Sequence, residues 1–272
     1  MSGLPLILAA IPGLMPKKAA VSLVSVVCLA LATLAWNRLD TFSDNLKLWS
    51  DVISKNGDEK LLGVERGYNN RGIAYLESGR QQEALDDFKK AIALNSKYSE
   101  AHLNVGIAYF KENRFDQALQ YYDKAIALKP DFSGAYLNRG VALLKNFHPV
   151  EALADFNRGI QLNPWDAEAL SNRGLAYSYL GKPQEGLSDL DKAIELSPKT
   201  AQVYMNRGIV NTMLGRGKDA LEDLDKAAKL DPKGAEIYYN RGNVYIAMGR
   251  YQEAMQDFDR AVEFNPKLAD AY

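Results

Sequence analysis

Arginine and aspartate recur together in this chain at one fixed separation. Arg71, Arg139, Arg173, Arg207 and Arg241 are each followed sixteen residues later by Asp87, Asp155, Asp189, Asp223 and Asp257. A guanidinium and a carboxylate recurring at a constant separation suit a salt bridge. They do not suit acid–base catalysis, because arginine keeps its proton in proteins. One more pair of positions at this spacing holds Val105 and Tyr121, so the place that lacks the arginine also lacks the aspartate. The expected chemistry is a bridge between two helices of one structural repeat, although copies of an ancestral segment would inherit the same pattern. An exposed bridge of this kind contributes only ~0.2–1 kcal/mol, and a half-buried one matters more for register.

Other reactive side chains are sparse. His102 and His148 are the two histidines, and Cys28 is the one cysteine. That excludes a disulfide framework and a cysteine zinc site. There is no phosphate-cradling glycine loop, and no serine or cysteine has a credible base. No enzyme, cofactor or metal is therefore expected. With 33 basic against 34 acidic residues, a nucleic-acid partner is not expected either, since it would select a basic surface.

The elements that must position these charges are set by a longer pattern. Asn70, Asn104, Asn138, Asn172, Asn206 and Asn240 follow one another at intervals of 34 residues, without insertion or deletion. A fixed period of that length marks a stacked repeat architecture. Two residues after each asparagine stands a glycine, Gly72 to Gly242. Eighteen after it stands Phe88, Tyr122, Phe156, Leu190, Leu224 or Phe258. Twenty-six after it stands Ser96, then Pro130, Pro164, Pro198, Pro232 and Pro266. Tyr75, Ala84, Leu85, Phe88 and Ile92 are spaced for amphipathic helices, and Gly79-Arg80 interrupts them. Each repeat reads as helix, tight turn, helix. Gly72 and Ala84 are expected to let the two backbones approach, and the proline ends the second helix. Such pairs bury their apolar faces only by stacking.

This pattern resembles the tetratricopeptide repeat family over about Glu65 to Leu268. The resemblance implies an all-α fold, a right-handed α-solenoid of six helix pairs: 65–98, 99–132, 133–166, 167–200, 201–234 and 235–268. Residues 269–272 would begin a truncated seventh repeat, since Tyr272 falls 34 residues after Tyr238. Departures from the family pattern are Leu143 and Asn211 in place of a tyrosine, and Ser96 in place of the first proline. Those repeats are expected to fit less well. His102 stands where most other repeats have tyrosine, so it reads as a core residue.

The family likeness places the first helix of each repeat on a concave face. With the asparagine and glycine turned toward the packing side, the groove would be lined by residues one before and three, six and seven after each asparagine. That selects Asn69 and Ile73; Leu103, Ile107, Phe110 and Lys111; Leu137, Val141, Leu144 and Lys145. Further along it selects Leu175 and Tyr179; Met205, Ile209 and Met213; Tyr239 and Asn243. The lining is mostly apolar and suits an extended or helical peptide with apolar anchors. For any one residue, contact with the neighbouring repeat is the plainer role.

The region 1–38 differs in kind. Ala19 to Trp36 is eighteen residues without a charge, roughly 27 Å as a helix and near the minimum for crossing a bilayer. A membrane-type helix is expected there, with Lys17 and Lys18 on the cytoplasmic side and the repeats on the periplasmic or lumenal side. A cleaved signal peptide ending near Ala30-Leu31-Ala32 and a buried core helix are the alternatives. Within 39–64, Phe42, Leu46, Trp49 and Ile53 form one apolar stripe, with Asp40, Thr41 and Ser43 as candidate caps. This capping helix would cover the open end of the first repeat. The run Asp44-Asn45-Leu46-Lys47-Leu48-Trp49-Ser50-Asp51 resembles the membrane-to-repeat junction of polytopic proteins related to O-mannosyltransferases. The catalytic loop of that family is absent from this sequence.

The expected function is a membrane-tethered scaffold that binds partner proteins or peptides in its groove and the lipid bilayer through 19–36. Self-association would run through an uncapped C-terminal end. The accessory tail of a membrane glycosyltransferase, or a secreted soluble adaptor, are the alternatives.

Overall fold

Each period folds as two helices joined by a three-residue turn, in a computed structural model that describes residues 44–55 and 63–268. A leading helix α1 (Asn45–Lys55) precedes the first pair, α2 (Val64–Glu77) and α3 (Gln81–Leu94). Five pairs follow: α4 (Ser99–Lys111) with α5 (Phe115–Leu128), α6 (Ser133–Lys145) with α7 (Pro149–Leu162), and α8 (Ala167–Tyr179) with α9 (Pro183–Leu196). The last are α10 (Ala201–Met213) with α11 (Gly217–Leu230), and α12 (Ala235–Ala247) with α13 (Tyr251–Phe264). Among the described residues no strand occurs. The chain divides into two compact bodies, one ending at Leu94 and one beginning at Asn95.

The turn explains where each first helix stops. Its second residue is left-handed in every repeat, with φ of 73°, 74°, 70° and 74° at Gly79, Gly181, Gly215 and Gly249. The next amide closes the helix end onto a carbonyl five residues back, as in Arg80 N to Tyr75 O at 2.8 Å. This satisfies carbonyls that the last helical turn leaves open. The second helix stops because the residue before the proline is pushed into extended backbone. Lys129 (φ −141°) and Asn163 (φ −138°) show it. The first repeat has Ser96 in place of proline, yet α3 also ends at Leu94.

The recurring glycine has a different partner from the one its spacing suggested. A β-carbon on Gly72 would lie 2.6 Å from a ring carbon of Phe88, and one on Gly140 would lie 2.6 Å from the same atom of Phe156. The missing side chain is room for the large residue sixteen positions on, which is fully buried. Close backbone approach occurs in the fifth repeat, where a β-carbon on Gly208 would lie 3.3 Å from the carbonyl oxygen of Ala220, and is tightest in the fourth. There Gly186 replaces the usual alanine, and a β-carbon on Gly174 would sit 2.7 Å from the carbonyl oxygen of Gly186.

Within the second body the core runs from repeat to repeat. Leu137, Ala152, Phe156, Ala169 and Ala176 form one cluster across α6, α7 and α8. Leu170, Leu190, Ala193, Val203 and Val210 form the next across α8, α9 and α10. Fully burying a side chain such as Phe156 contributes about 2–3 kcal/mol. Each first helix touches the first helix of the next repeat, from α4 through to α12. The first helices therefore form the inner wall of this body.

In the first body, α1 packs on α2, and Ile53 lies against Gly67. Its N-cap is Asp44, whose carboxylate accepts from Leu46 N at 2.9 Å and Lys47 N at 3.3 Å. The caps expected at Asp40, Thr41 and Ser43 lie outside the described residues, as do the apolar span 19–36 and the seventh repeat at 269–272. Among the described residues no helix is long and apolar enough to cross a membrane.

Candidate functional site

The arginine–aspartate bridge forms within all five repeats that carry it. Arg71 Nε and Nη2 donate to Asp87 at 2.7 and 2.8 Å. Arg139 meets Asp155 at 2.8 and 2.6 Å, and Arg173 meets Asp189 at 2.6 and 2.8 Å. Arg207 with Asp223 and Arg241 with Asp257 repeat the geometry. The aspartates are nearly buried. Hydrogen bonding to the aspartate drives the Arg139, Arg207 and Arg241 guanidinium pKa well above the usual arginine range, against the opposing effect of burial.

A second grip was missed in the sequence. The remaining nitrogen of each guanidinium reaches back to the preceding repeat. Arg139 Nη1 donates to Asp123 at 2.6 Å, Arg173 to Asn157 at 3.0 Å, Arg207 to Asp191 at 2.7 Å and Arg241 to Asp225 at 2.6 Å. Each of these arginines therefore fastens both helices of its own repeat to the second helix of the one before. The signal was in the column that reads Lys89, Asp123, Asn157, Asp191 and Asp225: the lysine stands where the next repeat offers Val105.

Departures from the repeat pattern find local partners. Asn211, in a tyrosine position, is buried and donates to Asp223 at 3.0 Å, so the fifth repeat gains a bond where a looser fit was expected. His102 Nε2 lies 3.0 Å from Ser96 O, the contact that Tyr136 and Tyr204 make with Pro130 O and Pro198 O. Its Nδ1 is buried without a partner.

The inner wall of the second body holds a cavity between α6, α8, α10 and α12. Seven residues named from the sequence meet there: Val141, Leu144, Lys145, Leu175, Tyr179, Met205 and Ile209. Five others join them: Asn172, Gln202, Asn206, Glu236 and Asn240. The asparagines were expected to face the packing side. Asn206 does so, buried between α8 and α10, whereas Asn172 and Asn240 reach the cavity half-buried. Asn172 and Asn240 donate to carbonyls four residues back in their own helices, Glu168 O and Glu236 O, and Asn206 donates to Ser171 Oγ of the previous repeat. Lys145 and Glu236 face each other at 3.8 Å across the rim.

The remaining candidates lie elsewhere. Leu103 and Leu137 are buried in packing, and so, in the first body, is Asn69. Ile107 and Ile73 are half-buried. Phe110 packs on Phe115, with ring centres 5.6 Å apart, and Tyr239 on Phe258, 5.7 Å apart. Lys111 and Met213 are exposed, and Asn243 is half-buried. The position before the asparagine is thus mainly a packing position, because it points between successive first helices.

Comparison with known proteins follows the same lines. A family model described as tetratricopeptide repeat matches residues 65–98, 99–132, 167–200 and 235–268, and one described as TPR repeat matches 212–249. No curated protein matches. Among solved structures, the chain is similar to one in the APC/C hetero-tetramer Cut9–Hcn1, at 20% identity and a TM-score of 0.72, over 82% of this chain and 43% of that one. This chain therefore spans less than half the length of that relative. A tetratricopeptide repeat protein from Parabacteroides merdae is similar at 19% identity and a TM-score of 0.69, over 87% and 92% of the two chains. TTC0263, a thermophilic TPR protein of Thermus thermophilus, is similar at 23% identity and 0.58, over 67% and 99%. Likenesses at these identities show the fold alone.

Proposed function

The chain belongs to the tetratricopeptide repeat family, and on that premise we propose that it is a protein-interaction scaffold whose inner groove takes a segment of a partner polypeptide. The observation that carries this reading is the composition of the cavity. Its lining joins apolar side chains, Val141, Leu144, Leu175, Met205 and Ile209, to amide and charged ones, Asn172, Asn240, Gln202, Lys145 and Glu236. Apolar pockets in such a lining give anchorage, and side-chain amides serve a peptide's backbone groups. The apolar stretch Ala19–Trp36 supports a tether to the bilayer, with the repeats on its non-cytoplasmic side.

The test is affinity capture from native membranes with two groove variants, Tyr179→Glu and Lys145→Glu, whose side chains are largely exposed. Loss of the captured polypeptides, with helical content unchanged by circular dichroism, is the expected outcome. Undiminished recovery with both variants would sink the groove. Resistance of the chain to carbonate extraction tests the tether.

A further inference from the structure

The last helix, α13, leaves bare a stripe that its counterparts in earlier repeats keep covered. Met255, Asp259 and Val262 are spaced four and then three apart, so they share one face of the helix. All three are exposed, Met255 by 67% and Val262 by 42%. The same positions one repeat earlier hold Leu221, Asp225 and Ala228, and one earlier again Leu187, Asp191 and Ile194. There each apolar member is half-buried against the core. Asp191 and Asp225 each accept an arginine Nη1, at 2.7 and 2.6 Å. Asp259 has no hydrogen bond or ion pair among the described residues.

The cover at those two junctions has one pattern. Ile237, Arg241 and Val244 of α12 meet α11, and Val203, Arg207 and Val210 of α10 meet α9. Each covering helix presents an apolar residue, an arginine four positions on, and an apolar residue three beyond that. The apolar members join the buried cluster. The arginine takes the carboxylate between them. Apolar–acid–apolar on one helix is met by apolar–arginine–apolar on the next.

We propose that the bare face of α13 docks an amphipathic helix of a partner polypeptide, one carrying an arginine with apolar residues four before and three after it. Charge selects this occupant. The unmatched carboxylate stands mid-stripe, where a covering arginine gains a charge-assisted bond and a covering acid would meet its like. A second copy fails on the same ground. A two-fold pairing of this face with itself sets Asp259 against its own counterpart. The arginine stripe of α2 is Gly67, Arg71 and Ala74, and it is already covered: Gly67 and Ala74 are buried, and Ile53 of α1 lies on Gly67. The arginines of α6, α8, α10 and α12 hold partners of their own. The proposal does not rest on the groove, which lies between first helices, whereas this face belongs to a second helix.

The probe is a helix-stapled peptide with the sequence of residues 235–247, which contains Ile237, Arg241 and Val244. Its binding to the full chain in a mild non-ionic detergent is followed by fluorescence anisotropy. Saturable one-to-one binding is expected, with slower hydrogen exchange in α13. Arg241→Glu in the probe should weaken binding about tenfold, and Asp259→Lys in the chain should weaken the original probe as much. Asp259 is exposed, so helical content by circular dichroism should not change. The decisive arm joins the two changes: the glutamate probe should bind Asp259→Lys more tightly than it binds the wild-type chain. Absence of binding by the arginine probe, or binding indifferent to both charges, overturns the proposal. So does protection confined to α8 and α10. A chain that sediments as a dimer and is dissociated by the probe would put a second copy on this face, and that too overturns it. Tyr179→Glu and Lys145→Glu should leave probe binding unchanged, so failure here and failure of the groove are told apart.

Discussion

At the scale of the residue, the guanidinium of Arg139, Arg173, Arg207 or Arg241 is the point where three helices meet. Each has two bonds within its repeat and one to the repeat before. The second repeat provides a natural comparison, because it replaces the pair with Val105, fully buried, and Tyr121. Removing one partner of a desolvated pair leaves an uncompensated charge, whereas replacing both with apolar residues can be nearly neutral. Arg173→Val alone should therefore lower stability by about 3 kcal/mol, and Arg173→Val with Asp189→Tyr should recover most of that loss. Urea denaturation of both variants checks it, and equal losses in the two would contradict it. The first grip was legible from the shared absence at Val105 and Tyr121. The second was not legible, because the column containing Asn157 and Lys89 mixes residue types.

At the scale of the element, periodicity located the six helix pairs between residues 64 and 264, and Gly or Pro punctuates most of them, the turns at Asn113 and Phe147 and the helix end before Ser96 being the exceptions. It did not show what each glycine makes room for. Gly140 and Gly181 should behave differently when changed to alanine. At Gly140 the new methyl meets the buried Phe156 ring, and overpacking of this kind costs about 1–3 kcal/mol despite the gain in helix propensity. At Gly181 nothing lies within 4 Å of the new atom, and the cost is the left-handed backbone alone, roughly 1–2 kcal/mol. The readouts distinguish them: in a Phe156→Ala background Gly140→Ala should cost less than it does alone, and no such change should lower the cost of Gly181→Ala. Rescue of neither would remove the ring from the explanation. The groove is a lesson at the same scale. Asn172 and Asn240 reach the cavity while Leu103 and Leu137, each the residue before an asparagine, are buried in packing, because the rotation of a helix about its own axis is set by packing against two neighbours.

At the scale of the whole molecule, stability in a stack is close to a sum of repeat and nearest-neighbour contributions. In a 272-residue protein made to stop at Tyr272, amides in α8 to α11 should therefore exchange at least tenfold more slowly than those in α12 and α13. Uniform protection along the second body, measured by hydrogen exchange, would mean that it opens only as one unit. The sequence by itself determined the helical class, the number of helix pairs and the intra-repeat ion pair. These depend on spacing along one chain, which a fixed period displays openly. Tertiary structure decided which asparagines face the groove, how each arginine reaches its second partner, and that Phe147 stands bare in a strained turn. Those depend on how neighbouring helices rotate and meet, and a one-dimensional period carries no record of that.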